Sequence, residues 1–360
     1  MKTLLQSFMG SFLVTLFFFS SCSKSSSSGG GSTTPTDSIN ADVYVVGYET
    51  IAGVAVAKLW KNGVGTNLTD GKRTAGATGI SIIGSDIYIS IIEYSGNIPV
   101  AKLWKNGQLY NLGNGVQYSW ATGISEGVVV GARNDAATGR TTAGYWSGDG
   151  VFTQISNPAF QNAYANGIHI KRVNNVLKTS VCGDIDVSNS LASKNTFFWG
   201  GQNSNPTLST LGLVNENSFG KACFINDNGF TYIAGRQNVP TLWFEGVPSM
   251  KLSDSLGNAN GLFVVGYTNI YAVGYEINNR KFIGKLWKGD TRGSIQSVTI
   301  TNTQYNGNLN AIKVVDGNEF IAGEEADASG FYFAKYWKNG KAVALGGSNS
   351  SAVAIWVVKK

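Results

Sequence analysis

The chain has 360 residues, 42% hydrophobic and 14% charged, with 46 glycines and one histidine, a balance that suits short strands and tight turns rather than helices. The net charge of +6 is carried by lysines spread along the chain, with no basic stripe, which argues against nucleic-acid binding. A lone histidine, His169, argues against a histidine-dependent triad or a multi-histidine metal site, and no metal or cofactor is implied.

The first segment reads as an export signal. Lys2 gives a short positive start, and Leu4 to Phe19 (LLQSFMGSFLVTLFFF) is an apolar run too short to be a membrane span. Phe19-Ser20-Ser21-Cys22 then resembles a bacterial lipobox, in which Cys22 is lipidated after removal of residues 1–21. The alternative is an ordinary secretory signal with an incidental cysteine. Residues 22–40 include the tract SKSSSSGGGSTTPT, which has no apolar residue and so no means of burying a core; a flexible tether is expected. Ser23, rather than Asp, after the cysteine favours the outer membrane, with the domain facing the periplasm or the exterior.

From Ala41 to Lys360 one motif recurs seven times: AKLWKNG at Trp60, AKLWKNG at Trp104, AGYWSGDG at Trp146, TFFWGGQN at Trp199, PTLWFEG at Trp243, GKLWKGD at Trp287 and AKYWKNG at Trp337. The intervals are 44, 42, 53, 44, 44 and 50 residues, a period that points to a β-propeller. The unit from Ala77 to Asn111 shows four strands: ATGISIIG, IYISIIEY, VAKLW and QLYNL. Asn106-Gly107 between the last two is a type I′ hairpin signal, because both central residues need positive φ. Second strands follow in order as VYVVGYE, IYISIIE, VVVGAR, TSVCGDI, TYIAGRQ, IYAVGYE and FIAGEE. The domain begins on a second strand and ends on SAVAIWVV (Ser351 to Val358), which fits a missing first strand. The expected fold is therefore all-β: a seven-bladed propeller of four antiparallel strands per blade, closed by the C-terminal strand joining the N-terminal blade and hiding two edges. Repeats of the VYVVGYE and AKYWKNG type resemble those of Bacteroidota-type envelope lipoproteins, a family without an assigned activity. The resemblance implies a propeller and an envelope location only.

Most repeated residues read as scaffold. The seven tryptophans hold one strand position and should bury their rings against the next blade. Glu49, Glu93, Glu276 and Glu325 occur in the blades that carry Lys58, Lys102, Lys285 and Lys335 two residues before the tryptophan, and both are missing from blades three to five. A cross-strand ion pair on the strand 2–3 hairpin is expected. Cys182 and Cys223 are expected to be buried free thiols rather than a disulfide. Asn226 to Gly229 (NDNG) lacks the ligand spacing of a calcium loop and reads as a strand 1–2 turn.

Blades three to five diverge, and a specific site is expected there. The residue entering each first strand is Gly76, Trp120, Tyr164, Phe219, Asn258, Asn308 and Ser351, so three consecutive blades carry aromatics. These should form an arc at the mouth of the central channel. Strand 2–3 loops opening on the same face are expected to carry Arg133, Asp135 and Arg140 from blade three, Asp184 and Asp186 from blade four and Arg236 from blade five. Aromatic faces beside polar groups suit a glycan or a peptide side chain. The alternatives are that the aromatics only plug the channel, or that Asp135, Asp184 and Asp186 serve a carboxylate-dependent glycan hydrolase or lyase. A scaffold docking envelope proteins through its rim is a third reading.

Overall fold

The computed structural model describes residues 39–360 except 149, 159, 187–193, 203–206, 212–216, 245–246 and 291–292. The expected signal segment, Cys22 and the tether as far as residue 38 lie outside the described residues. Every regular element described is a β-strand, and the strands form seven four-stranded antiparallel sheets. The chain is a seven-bladed β-propeller. Blade one runs, from the channel outwards, Ser350–Lys359, Ala41–Ile51, Val54–Lys61 and Val64–Asn67. Its innermost strand is the last of the chain, with Val43 opposite Val357 and Val45 opposite Ile355, which closes the ring as the sequence pattern requires.

The hairpin asparagines are placed by their chemistry. Asn62, Asn106 and Asn339 adopt φ of 51°, 47° and 49°, each followed by a glycine of positive φ. Their side chains also tie strand 3 back to strand 2. Asn106 Oδ1 accepts the Ile87 N–H at 2.9 Å, and its amide donates to Asp86 at 2.7 Å. Asn62 repeats this with Val43 and Asp42, and Asn339 with Glu319 and Asn318.

Five of the tryptophans (Trp60, Trp146, Trp243, Trp287 and Trp337) are at most 4% exposed, and Trp104 and Trp199 are partly buried. Each packs against the preceding blade rather than the following one: Trp60 on Phe320 and Ala322, Trp287 on Phe224 and Leu242, Trp337 on Val273 and Leu286. Cys182 and Cys223 are free and buried beside Trp243.

The expected ion pairs form in blades one, two, six and seven: Lys58–Glu49, Lys102–Glu93, Lys285–Glu276 and Lys335–Glu325. Three of the carboxylates also reach the preceding blade. Glu49 accepts the Gly347 N–H at 2.6 Å, Glu325 accepts the Asn302 N–H, and Glu93 lies 4.0 Å from Arg73.

One repeated feature escaped the sequence reading. All seven innermost strands carry a β-bulge at the same place, leaving Thr78, Thr122, Asn166, Lys221, Asn260, Asn310 and Val353 without a partner across the sheet. Five of these side chains donate to the next blade's backbone: Thr78 to Ala121 O (2.8 Å), Thr122 to Ala165 O (2.5 Å), Asn166 to Gly220 O (2.8 Å), Asn260 to Leu309 O and Asn310 to Ala352 O (both 3.0 Å). The result is a hydrogen-bonded girdle around a channel of about 470 Å³. The bulge also explains the strand-two glycine. A Cβ on Gly47, Gly183 or Gly274 would lie 1.9 Å from the carbonyl oxygen of Ser351, Tyr164 or Asn258.

Candidate functional site

The bulge fixes what stands at the channel mouth. Two residues before it, each first strand presents the position held by Gly76, Trp120, Tyr164, Phe219, Asn258, Asn308 and Ser351. Across the sheet these face Ile92, Ala132, Asp184, Arg236, Tyr275, Glu324 and Tyr48, in that order. The mouth is thus a double ring, set by one register in all seven blades.

On the side of blades three to five the aromatic arc exists. Trp120 and Tyr164 meet edge to face at 6.1 Å, and Tyr118 packs on Trp120 at 5.8 Å. Lys194, which the sequence reading did not single out, links the arc to the acids. Its ammonium stands 5.1 Å from the Tyr164 ring and 5.8 Å from Phe219, and it pairs with Asp184 at 3.1 Å and Asp186 at 3.7 Å. Burial pulls the Lys194 pKa down, but the Asp184 charge and hydrogen bond, with Asp186, hold it above the usual lysine value. Asp184 also accepts the Asn166 amide at 2.6 Å, and Asp186 that of Asn162 at 2.8 Å. The Arg236 guanidinium lies over Phe219 at 4.6 Å. Asp184, Asp186 and Arg236 sit on strand 2 itself, since that strand runs further than the glycine suggests.

The remaining blade-three candidates are engaged locally. Arg133, also on a strand, stacks on Phe152 at 4.4 Å. Asp135 accepts the Thr138 and Ala137 N–H groups at 2.8 and 2.9 Å and the Thr138 hydroxyl at 3.0 Å, and these bonds hold its carboxyl below the usual range. Arg140 donates to Pro158 O at 3.2 Å.

Across the channel, blades six, seven and one enclose a cavity of about 480 Å³, walled by Tyr48, Tyr275, Phe282 and Tyr332 and reached by Glu324. The Glu324 carboxylate is largely buried and accepts three hydrogen bonds: from Asn308 (3.1 Å), Asn310 (2.7 Å) and the Ser351 hydroxyl (2.7 Å). Burial raises its pKa against the pull of those donors, and burial with the Glu324 charge raises Tyr48. A run of amides feeds it, Asn258 donating to Asn260, Asn260 to Asn308 and Asn308 to Asn310, each at 2.8 Å. The sequence reading passed over Glu324 for its neighbour Glu325. The signal was present: sister blades read GYE at Gly47 and Gly274, and blade seven reads GEE at Gly323.

His169 is structural. Its Nδ1 accepts the Ile225 N–H at 3.0 Å, its ring stacks on Phe224 at 4.4 Å, and burial with the charges of Lys313 and Lys171 drives its pKa to about 3. In the NDNG turn, Asn226 Oδ1 accepts the N–H groups of Asn228 and Phe230 and closes the strand 1–2 turn of blade five. Among the described residues no group of three or more His, Cys, Asp or Glu side chains is placed to hold a metal ion.

No family model and no curated protein matches the chain. Similar solved structures include the tricorn protease (9% identity, TM-score 0.45, covering 88% of this chain and 36% of that one). Others are an acylaminoacyl peptidase in complex with Z-Gly-Gly-Phe-chloromethyl ketone (12%, 0.47, 85% and 51%) and an ancestral GH74 enzyme (10%, 0.42, 82% and 41%). The chain spans 36% to 51% of the length of these proteins, and similarity at this level says nothing of their activities here.

Proposed function

We propose that this chain is a binding module of the bacterial cell envelope, held by a lipid on Cys22 and a Ser/Gly/Thr tether, as in the repeat lipoproteins it resembles. It receives a glycan or a protein partner at the channel mouth, on the sector of blades three to five. One observation carries the reading. The recurrent residues are absorbed by the scaffold: the tryptophans by the preceding blade, the Glu–Lys pairs by the strand 2–3 hairpins, five of the seven bulge residues by the girdle. The side chains that differ from blade to blade gather at one end, in the double ring, where Trp120, Tyr164 and Phe219 stand beside Lys194, Asp184 and Arg236. Rings fixed by cationic neighbours and flanked by oriented carboxylates offer both stacking surface and directional polar contacts. A glycan-array screen of the protein beside its Trp120→Ala/Tyr164→Ala double variant tests this. Binding lost in the variant, with unchanged folding, supports the sector; binding equal in both proteins refutes it.

A further inference from the structure

We propose that the cavity between blades six, seven and one binds the ammonium group of a small organic cation. The site is independent of the sector assigned above and lies on the opposite side of the same mouth.

The argument starts from charge. The carboxylates at equivalent or adjoining positions have a protein ammonium within reach: Glu49 has Lys58, Glu93 has Lys102, Glu276 has Lys285, Glu325 has Lys335, and Asp184 shares Lys194 with Asp186. Glu324 has none among the described residues; its partners are two amides and a hydroxyl, all neutral donors. The amide run from Asn258 points its N–H groups towards Glu324 at every step. Such donors favour the ionised carboxyl without neutralising it. Burial nonetheless raises the carboxyl's pKa, because its ionised form has no cation beside it, and a cation entering the cavity would stabilise that form.

The walls select the kind of cation. Tyr48, Tyr275, Phe282 and Tyr332 surround the opening, with Tyr275 and Phe282 fixed edge to face at 4.8 Å. Aromatic faces attract alkylammonium groups, which carry charge with little hydration. A bare metal ion would want several oxygen ligands, at best more than one of them charged; the cavity offers a single carboxylate, and of its neutral neighbours Asn308 Oδ1 already accepts the Asn260 amide while the Ser351 hydroxyl donates to Glu324. The volume of about 480 Å³ admits a molecule of the size of choline or a lysine side chain.

The test is calorimetric titration of the purified full chain with choline and with 3,3-dimethylbutan-1-ol, its uncharged isostere. N-acetyl-lysine amide in a third titration distinguishes a peptide ammonium from a free one. The expected result is one cation per chain, with the isostere weaker by about tenfold or more, the size of a desolvated cation–aromatic contact. Glu324→Gln keeps the shape and removes the charge, and should weaken binding by about tenfold. Phe282→Ala alters a half-exposed wall without touching the amide run, and should weaken it several-fold even if Glu324→Gln folds poorly. Trp120→Ala/Tyr164→Ala should leave it unchanged, so failure here and failure of the glycan reading are separate. Equal affinity for the isostere, undiminished binding by Phe282→Ala, or no binding of any of the ammonium probes at millimolar concentration overturns the proposal.

Discussion

Thr122→Val and Val353→Thr are nearly equal changes in shape at equivalent positions, and the girdle requires them to act with opposite sign. The Thr122 hydroxyl lies 2.5 Å from Ala165 O in the next blade and 3.1 Å from Val130 O in its own. It has one proton, so one hydrogen bond is lost in Thr122→Val, a net cost of about 0.5–1.5 kcal/mol. Because the girdle lines a channel of about 470 Å³, water can reach the abandoned carbonyl, which places the cost near about 1 kcal/mol rather than at the full penalty of a dry acceptor. Val353 occupies the same bulge position in blade one and has no donor to offer blade two. By the register of the other blades, a threonine there would reach Ala77 O, and Val353→Thr should stabilise by up to about 1 kcal/mol. Heat is a poor ruler for this. About 320 residues at ~2.1 cal/mol/K each give an unfolding entropy near 0.7 kcal/mol/K, so the change amounts to only about 1–2 °C. Urea titration at fixed temperature resolves it as a shift in midpoint at constant slope. If Thr122→Val were neutral, or both variants moved the midpoint the same way, the girdle would not be a source of ring stability.

Three further outcomes are expected, two from the fold and one from the N-terminal sequence. Trp287→Ala empties a site that is 0% exposed and should cost about 3–5 kcal/mol in the urea titration, whereas Trp104→Ala, at a partly exposed ring, should cost clearly less. The imidazole of His169, the chain's one histidine, should show no titration by NMR between pH 8 and pH 5, since its folded pKa is about 3. Its pKa is lower folded than unfolded, so its contribution to stability is complete above about pH 6.5 and is lost as pH falls towards 3; His169→Gln should flatten that limb. Metabolic labelling with a fatty acid should mark the chain expressed in a bacterial host and vanish in Cys22→Ser, and persistence of the label would sink the lipobox assignment.

Much of the fold was legible because its determinants are periodic. A tryptophan every 42 to 53 residues, Asn-Gly turns at Asn62, Asn106 and Asn339, and a last strand lacking a partner specify blades, hairpins and closure without reference to distant contacts. The Glu–Lys pairing was legible for the same reason, as a correlation between repeats. The direction of tryptophan packing was not, because strand alternation separates the two faces of a blade but does not tell which face meets the preceding blade. The girdle was hidden by chemistry: Thr78, Thr122, Asn166, Asn260 and Asn310 perform one task with two side-chain types. The small residues around them, as in Ala77-Thr78-Gly79 and Ala259-Asn260-Gly261, were the better signal. Arg133, Asp135 and Arg140 could not be sorted from Asp184 and Arg236 by sequence, since a turn of bonds about Asp135 and a ring under Arg133 decide where those charges rest.

The two sides of the mouth show how one register can yield opposite electrostatics. Asp184 and Glu324 occupy the same position in blades four and seven, each facing the residue two before the bulge, and each accepts an amide from the bulge residue, Asn166 or Asn310. Their surroundings differ in one respect that matters. Blade four supplies Lys194, which pairs with Asp184, is shared with Asp186 and stands on one side of the Tyr164 and Phe219 rings, leaving a polar surface with a cation built in. Blade seven spends Lys335 on Glu325 and gives Glu324 only neutral donors beside open tyrosines. Under the two proposals, recognition at the first site draws on ring stacking and directional hydrogen bonds, and at the second on charge. Introducing a lysine on the first strand of blade one, Ser351→Lys, should therefore fill the second site from within: it would supply the missing ammonium, abolish choline binding and leave the arc untouched. If choline still bound Ser351→Lys as tightly as the native chain, the uncompensated charge on Glu324 would not be what the cavity uses.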